Sequence, residues 1–349
     1  MTTTGLFSIN DLRQVNYASA MKYGLDTINQ VLAADLAQYN AAVAEQMRFL
    51  AEPLTEQARV YGTSAKIDMT EMDEFGRPIS KKNVVGQTVA FPIKTFASAL
   101  GWTEKFLQLH TPAELVAQYD QIRRGHSEQL LLQIKKAIFN SSNYSQTDPY
   151  NSVSLAVKRL INADSSVIPE FGGTTFAGAS HTHYLATASG SFAATDIDAL
   201  ISTVAEHGLT KGLKVFVNGA DIAAISALTG FTALSSSLLF GTSGTNQKLD
   251  MSDVSNYLAG LWDGLYEVWV KNLMIPSGYI MCVATDEVEK LLGFRQLPQP
   301  ELQGLRFDAM ISDKPLVAQN AEAIFGFGVW NRLSGAVMSK VDTWANPTL

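Results

Sequence analysis

Residues 111–139 read TPAELVAQYDQIRRGHSEQLLLQIKKAIF, and this stretch predicts one long helix. Thr111 suits the N-cap, Pro112 suits the first helical position, and Glu114 completes a capping box. The residues of one helical face then recur at spacings of three and four: Leu115, Tyr119, Ile122, His126, Leu130, Ile134 and Ile138. The helix should be about 40 Å long at ~1.5 Å per residue.

A second long helix is predicted upstream, over residues 25–50, and Pro53 marks where it ends or bends. Its face consists of Ile28, Leu32, Leu36, Tyr39, Val43, Met47 and Leu50. Because no helical partner is adjacent in sequence, we expect an arm that lies on a neighbouring subunit. A coiled coil or helical bundle is the alternative, although heptads do not persist beyond this segment.

Between the two helices the sequence predicts an extended hairpin. Residues 63–70 and 83–93 favour strands, and the segment DEFGRP (73–78) is a dense turn signal. An isolated two-stranded ribbon is marginal in water, so we expect it to lie on other protein. Its charged residues are candidates for polar contacts between subunits: Asp73, Glu74, Arg77, Lys81 and Lys82.

The rest of the chain mixes helices and strands without a repeating βαβ rhythm, so the predicted class is α+β. Surface loops are predicted at 140–149 and 231–247. We predict a helix over 194–207 with Thr195 as cap, and a short helix from Asn218 or Gly219 to about Leu228. Predicted strands are 213–217, 265–270, 279–284, 323–330 and 336–338.

Composition limits the class of function. The chain has 349 residues, 26 Lys+Arg against 33 Asp+Glu (net charge −7), 46% hydrophobic and only 17% charged residues. So little charge indicates surface hidden against neighbours, and a pI near 5.3 argues against nonspecific nucleic-acid binding as the main task. The first residues do not resemble a signal peptide, and no apolar run reaches the ~20 residues of a membrane span. A single cysteine, Cys282, excludes an intrachain disulfide.

The sequence carries no strong catalytic motif. A P-loop, a dinucleotide fingerprint, H-E-x-x-H and G-x-S-x-G are all absent, and Cys282 lies in an apolar run where a thiol is usually inert. His181 and His183, two apart, would share one face of a strand and could bind a metal ion. Since Glu170 is the closest further ligand in sequence, we expect two hydrogen-bonded histidines and neither a metal nor another cofactor.

The order of these parts resembles the major capsid protein of tailed bacteriophages, which has the Hong Kong 97-like fold. The segment MDEFGRPISKK (72–82) looks like that family's E-loop, and 111–139 looks like its spine helix. The stretch YEVWVKNLMIPSGYIMCV (266–283) is similar to its axial domain, and AIFGFGVW (323–330) resembles its returning peripheral strand.

The resemblance implies an α+β Hong Kong 97-like major capsid fold. Its parts would be an N-terminal arm with the long helix (1–61), the E-loop hairpin (62–98), a peripheral domain with the spine helix (99–150 and 301–349) and an axial domain (151–300). Pentamers and hexamers would form an icosahedral shell around double-stranded phage DNA, contacted nonspecifically. Expected partners are further copies of the chain, a separate scaffolding protein, a portal and a decoration protein.

The resemblance also implies a place in the virion, with assembly in the host bacterial cytoplasm, no membrane partner and no catalytic site. Two departures from the family's prototype stand out. The arm helix begins within about 25 residues, which indicates a separate scaffold or prior trimming, and the Asn and Glu of a covalent crosslink cannot be matched. Two other functions stay open: an encapsulin-type shell that encloses cargo enzymes, and a metal-dependent enzyme built on His181 and His183.

Overall fold

The computed structural model describes residues 8–61, 71, 72, 74, 76, 87–187, 190–233 and 256–349. The helices are α1 (Ile9–Gln14), α2 (Ala20–Tyr23), α3 (Leu25–Met47), α4 (Glu104–Leu109), α5 (Pro112–Phe139), α6 (Ala194–Ala205) and α7 (Ile222–Ser226). A 3-10 turn covers Pro300–Leu302.

The first strands of the chain are β1 (Ala51–Leu54), β2 (Ala58–Tyr61), β3 (Gln87–Ala90), β4 (Lys94–Thr103), β5 (Tyr144–Thr147), β6 (Ser154–Val157), β7 (Tyr184–Ala186) and β8 (Leu213–Val217). Then follow β9 (Phe231–Ala233), β10 (Asn256–Trp262), β11 (Tyr266–Lys271), β12 (Tyr279–Ala284), β13 (Leu292–Gln296), β14 (Leu305–Phe307), β15 (Ile311–Asp313), β16 (Leu316–Val329) and β17 (Gly335–Ser339). Helices and strands are interspersed, which confirms the α+β class.

Helix α5 confirms the long helix predicted from residues 111–139. The predicted face is buried except for Ile122, which is partly buried against the same core. The predicted capping box is wrong, because the Thr111 hydroxyl does not accept a bond from the backbone. It lies 3.3 Å from a carboxylate oxygen of Glu114, and that carboxylate also bonds to the ring of His110.

Helix α3 confirms the helix predicted over 25–50, but the expectation that a neighbouring subunit covers its apolar face is wrong. Ile28 and Leu36 are buried within the same chain, in cores shared with α5. The Tyr39 hydroxyl lies 2.8 Å from Nδ1 of His126 on α5, and Arg123 of α5 pairs with Asp35 of α3. The apolar face of α3 is therefore buried within its own chain, partly by side chains of α5 that are distant in sequence.

One sheet is organised around β16. One edge of β16 pairs with β4 over residues 316–325, and its other edge pairs in turn with β15, β14 and β13. Strand β1 then extends this sheet in parallel with β13. Helix α5 lies against β16, and the largest core fills the space between them.

The other sheet has the order β7-β17-β12-β8-β11-β10-β9, with α6 packed against β12 and β17. Strand β12 is buried on both faces, because Met281 and Val283 enter the core shared with α5 whereas Ile280 and Cys282 enter the core beneath α6. Burial on both faces explains why YIMCVA is a nearly continuous apolar run.

The structure corrects several details of the second half. The predicted surface loop 140–149 contains β5, which pairs with β6. Helix α6 is capped at Ala193, whose N–H donates to Asp196, and not at Thr195. Its short successor begins at Ile222. The predicted strands on either side of the I-P-S-G segment (275–278) are present as β11 and β12, and β8 lies between them in the sheet.

The hairpin predicted over residues 62–98 lies partly outside the described residues. Its described base is β2 paired antiparallel with β3, from Ala58 opposite Ala90 to Tyr61 opposite Gln87. The predicted loop 231–247 begins with β9, and its residues 234–247 are likewise outside the described part. The domain boundaries predicted from sequence stay a proposal. Strand pairing crosses the predicted boundary at residue 300, because β13 belongs to the sheet of β16 and β17 belongs to the sheet of β12.

In the part of the chain that the structure describes, none of the helices combines the length and the apolar character that crossing a bilayer requires.

Candidate functional site

His181 and His183 lie on the segment that leads into β7. The N–H of His183 donates to the carbonyl of Ile161 at 2.8 Å, and Asn162 forms an isolated bridge with Thr182 between the two histidines. Extended backbone at this bridge places both imidazoles on the same side of the segment, as their spacing of two predicts.

A third histidine, His207, approaches the same point from a different element. It follows the last turn of α6. The buried face of α6 shares a core with Ile280 and Cys282 of β12. The Phe176 ring lies against this cluster, with its centroid 5.2 Å from that of His181 and 4.3 Å from that of His207. Packing of α6 on the sheet therefore carries His207 to the two histidines predicted as a pair.

The three imidazoles meet through the same ring atom. Nε2 of His181 lies 3.2 Å from Nε2 of His183 and 3.0 Å from Nε2 of His207, and the remaining Nε2–Nε2 distance is 3.1 Å. The side chain of His207 is only 1% exposed and that of His181 is 17% exposed, whereas His183 is fully buried. We refer to His181, His183 and His207 as the histidine triad.

One contact fixes the tautomer of His183. Its Nδ1 lies 2.8 Å from the carbonyl oxygen of Gly335 in β17. A carbonyl can only accept a hydrogen bond, so Nδ1 carries the proton and Nε2 directs a lone pair at the other two rings. Burial lowers the pKa of His183 to about 3 and that of His207 to about 4, and it also lowers the pKa of His181, so the rings are held neutral.

A carboxylate lies beside the triad. Oε1 of Glu206 is 3.5 Å from Nε2 of His181 and 3.9 Å from Nε2 of His207. Burial raises the pKa of Glu206. Glu170 is the closest further ligand in sequence, but the expectation that the two histidines lack other ligands nearby is wrong, because the fold brings His207 and Glu206 to the site. No sequence pattern near His181 and His183 indicates His207 or Glu206. Both lie at the end of α6, which approaches the first two histidines only through tertiary packing.

The other predicted site residues are less informative. Glu74 is an exposed turn residue, while Asp73, Arg77, Lys81 and Lys82 lie outside the described residues, so their role as contacts stays a prediction. Cys282 is fully buried in β12, and burial raises the pKa of its thiol to about 12. The thiol is therefore protonated at neutral pH, in agreement with the prediction of an inert cysteine.

Comparison with known proteins bears on the fold. No protein-family model and no curated protein matches the sequence. A solved chain from Mycobacterium phage Patience matches with a TM-score of 0.71 and 20% identity, covering 99% of this chain and 96% of that chain.

Two further solved structures give lower TM-scores. The capsid of a native GTA particle gives 0.47 at 12% identity, over 84% of this chain and 89% of that chain. The holo-SrpI encapsulin complex from Synechococcus elongatus gives 0.43 at 14% identity, over 87% and 89%. The match to the phage Patience chain extends over nearly the whole of both chains and includes both sheets and the two long helices. The chain therefore has the Hong Kong 97-like α+β fold that the order of its sequence elements predicts.

Proposed function

We propose that this protein is the major capsid protein of a tailed bacteriophage, a structural subunit that forms pentamers and hexamers of an icosahedral shell around double-stranded DNA. The observation that carries the proposal is the similarity of fold, over 99% of this chain, to a chain from Mycobacterium phage Patience. The order of arm helix, hairpin, spine helix and mixed α+β region in the sequence supports it independently.

The described surface supports association with further copies of the chain. Strand β4 pairs with β16 over ten residues, yet most of its side chains are exposed, and among the described residues β16 is its only strand partner. An exposed edge strand is normally covered or blunted in a protein that acts as a monomer. In a shell, a neighbouring subunit would cover the exposed side chains of β4.

Exposed apolar side chains at one end of the second sheet also support association with other subunits. Leu265 is 70% exposed in the turn before β11, and Val288 is 89% exposed in the segment after β12. Because β8 runs parallel to β11 and antiparallel to β12, both residues lie at the same end of this sheet. Contact with another subunit would remove them from water.

The proposal includes partners and location. A separate scaffolding protein would guide assembly in the host bacterial cytoplasm, a portal would occupy one vertex, and a decoration protein would bind the outside of the virion shell. DNA would be contacted nonspecifically, in keeping with a net charge of −7, since strong attraction to the inner wall would hinder packaging. Membrane and cofactor play no part in this function, and it assigns no catalytic residue.

Two other functions remain as alternatives. An encapsulin-type shell would have the same fold but enclose cargo proteins, so purified particles would contain a companion protein and no genome. A metal-dependent enzyme would use the histidine triad, but a catalytic metal needs an open coordination position, whereas these rings are largely buried.

The test is to image the purified protein by negative-stain electron microscopy and to measure its mass by analytical ultracentrifugation. We expect polyhedra, tubes, or rings of five and six subunits, and DNA-filled particles when the other phage head proteins are present. If the protein stays a monomer or dimer, it is expressed again with the scaffolding protein. Failure to form particles then as well would reject the shell function.

A further inference from the structure

We propose that His181, His183 and His207 bind one divalent transition-metal ion of the zinc class through their Nε2 atoms, with the Glu206 carboxylate completing the coordination. The site is structural, and it is independent of whether the protein builds a shell.

The separations between the Nε2 atoms suit such an ion. Three imidazoles bound at about 2.0–2.1 Å hold their nitrogens about 3.3–3.4 Å apart in a tetrahedron and about 2.9 Å apart on one face of an octahedron. The triad gives 3.0, 3.1 and 3.2 Å, between these two limits. An ion about 1 Å above the plane of the three atoms would reach all of them at bonding distance.

Hydrogen bonds alone do not account for this arrangement. Nε2 of His183 carries a lone pair, because Nδ1 of that ring donates to Gly335. One neighbouring ring can donate to this lone pair, but the third nitrogen then faces either another hydrogen or another lone pair at about 3 Å. Protonation would supply a further donor, but burial of the rings opposes it. A cation at the centre satisfies all three nitrogens at once.

The contact with Gly335 is the kind of outer contact that metal-bound histidines usually make. A carbonyl that accepts from Nδ1 fixes the ring orientation and leaves Nε2 as the ligand. Such a contact is in place on His183, the most buried of the three rings.

The charges around the triad are compatible with a dication. The Glu206 carboxylate is 3.5 Å from His181, close enough to become a ligand directly or through a water molecule. Arg332 is a fully buried cation of the loop before β17, the strand that His183 contacts through Gly335. Its guanidinium lies 3.1 Å from the Asp164 carboxylate, which also pairs with Lys158, and it donates to the carbonyl of Arg159, so its charge is partly compensated.

The burial of the site indicates a structural role. Catalytic metals keep an exchangeable position, whereas structural metals are enclosed. Here the described surroundings leave His183 and His207 out of contact with solvent, Phe176 covers two of the rings, and only Glu206 is substantially exposed.

The ion would link the end of α6 to a segment that has little regular secondary structure. Residues 158–183 are mostly irregular in the described structure. Their β-pairing consists of isolated bridges, Asn162 with Thr182 and Phe171 with Thr174. A metal bound to His181 and His183 and to His207 would attach this segment to the end of α6. The Gly335 contact continues the connection into β17, so the ion would stabilise a region with little regular structure.

The experiment uses full-length protein without a histidine affinity tag. Bound metal is quantified by mass spectrometry, and zinc or cobalt is titrated into protein stripped with a chelator. We expect about one metal equivalent per chain, a higher unfolding temperature with zinc, and a visible cobalt spectrum of nitrogen and oxygen ligands.

Three variants test the ligands. His183→Asn keeps an N–H donor for Gly335 but removes Nε2, and His207→Gln removes a ligand at the end of α6; each should lower zinc affinity about 100-fold or more. Glu206→Gln, at a partly exposed position, should keep the fold and weaken binding less. His126→Asn is the matched control, because His126 is a buried histidine outside the triad and its loss should leave zinc binding unchanged.

The proposal is overturned if stripped wild-type protein with native circular dichroism binds neither zinc nor cobalt. It is also overturned if Glu206→Gln, His183→Asn and His207→Gln all retain wild-type affinity, because the ion would then be bound elsewhere. Metal content is measured on the subunit itself, so failure to assemble into shells would not affect the result.

Discussion

Nη2 of Arg295 lies 2.6 Å from Oδ2 of Asp148, and the two side chains are 4% and 0% exposed. Arg295 belongs to β13 and also donates through Nη1 to the carbonyl of Phe91, whereas Asp148 directly follows β5 and accepts from the N–H of Tyr150. This buried ion pair therefore joins β13 to the β5–β6 hairpin and to the segment before β4.

Removing one member of this pair should strongly destabilise the subunit. Asp148→Ala leaves the Arg295 guanidinium buried without its counter-charge, so we expect a loss of about 3–5 kcal/mol in the free energy of unfolding. Urea denaturation of the unassembled subunit measures it. In the double variant with Arg295→Met, the loss should be smaller than the sum of the two single losses. Strict additivity would show that the two charges do not interact.

Gly326 of β16 is required for close packing. A Cβ atom there would lie 1.9 Å from the carbonyl oxygen of Pro92, a backbone atom that cannot turn aside. Gly326→Ala should therefore lower the free energy of unfolding by about 3 kcal/mol or more. The matched control is Gly101→Ala in β4 of the same sheet, where the added Cβ meets nothing within 4 Å. Equal effects of the two substitutions would contradict the steric explanation.

His126 should make stability depend on pH. Burial between α3 and β16 lowers its pKa from 6.5 to about 4; its ring meets the Tyr39 hydroxyl and the Phe325 ring, and the Arg123 guanidinium lies over Tyr39. Between these pH values the unfolded chain binds a proton that the folded chain does not. Stability is therefore greatest above pH 6.5 and falls by about 3 kcal/mol as the pH drops to 4.

The contribution of His126 is the difference between wild type and His126→Asn, measured by denaturation at several pH values. The variant keeps an acceptor near the Tyr39 hydroxyl but does not titrate in this window. Other acid-sensitive groups contribute to both proteins and cancel in the difference. Identical pH profiles would rule out His126 as the source.

The exposed apolar residues Leu265 and Val288 should act in assembly and not in folding. Replacing both with Asp should change the free energy of unfolding by less than about 0.5 kcal/mol, because the side chains are exposed. Losing about 1.5 kcal/mol of apolar burial at a contact weakens the affinity of that contact about tenfold. The critical concentration for assembly, measured by light scattering, should therefore rise by a factor of about ten or more. Leu265→Met with Val288→Ile is the control, and shells formed normally by the Asp variant would exclude this surface from the contacts.

Removing residues 70–82 tests the hairpin predicted from the sequence. Its described base, β2 paired with β3, should persist, so the subunit should remain folded by circular dichroism while closed shells fail to form under electron microscopy. Replacing the same residues with a Gly/Ser linker of equal length is the control for loop length. Normal shells from the deletion variant would refute an assembly role for Asp73, Glu74, Arg77, Lys81 and Lys82.

Local periodicity gave reliable predictions for elements whose residues contact their own neighbours in sequence. The face of α5 from Leu115 to Ile138 and the continuous apolar run of β12 both depend on spacings of two to four residues, and both are present. The same reasoning was wrong for the coverage of α3. Its partner α5 lies far along the chain, and no short-range pattern indicates that Tyr39 meets His126.

The sequence by itself determined the two long helices, most strands of the second half and the α+β class, because each depends on the side chains of a short segment. The order of these elements was enough to predict the fold. Only the tertiary structure decided what converges from distant elements: His207 and Glu206 beside His181 and His183. That convergence depends on how α6 packs against β12 and β17, and the packing is set by complementary surfaces that no local spacing encodes.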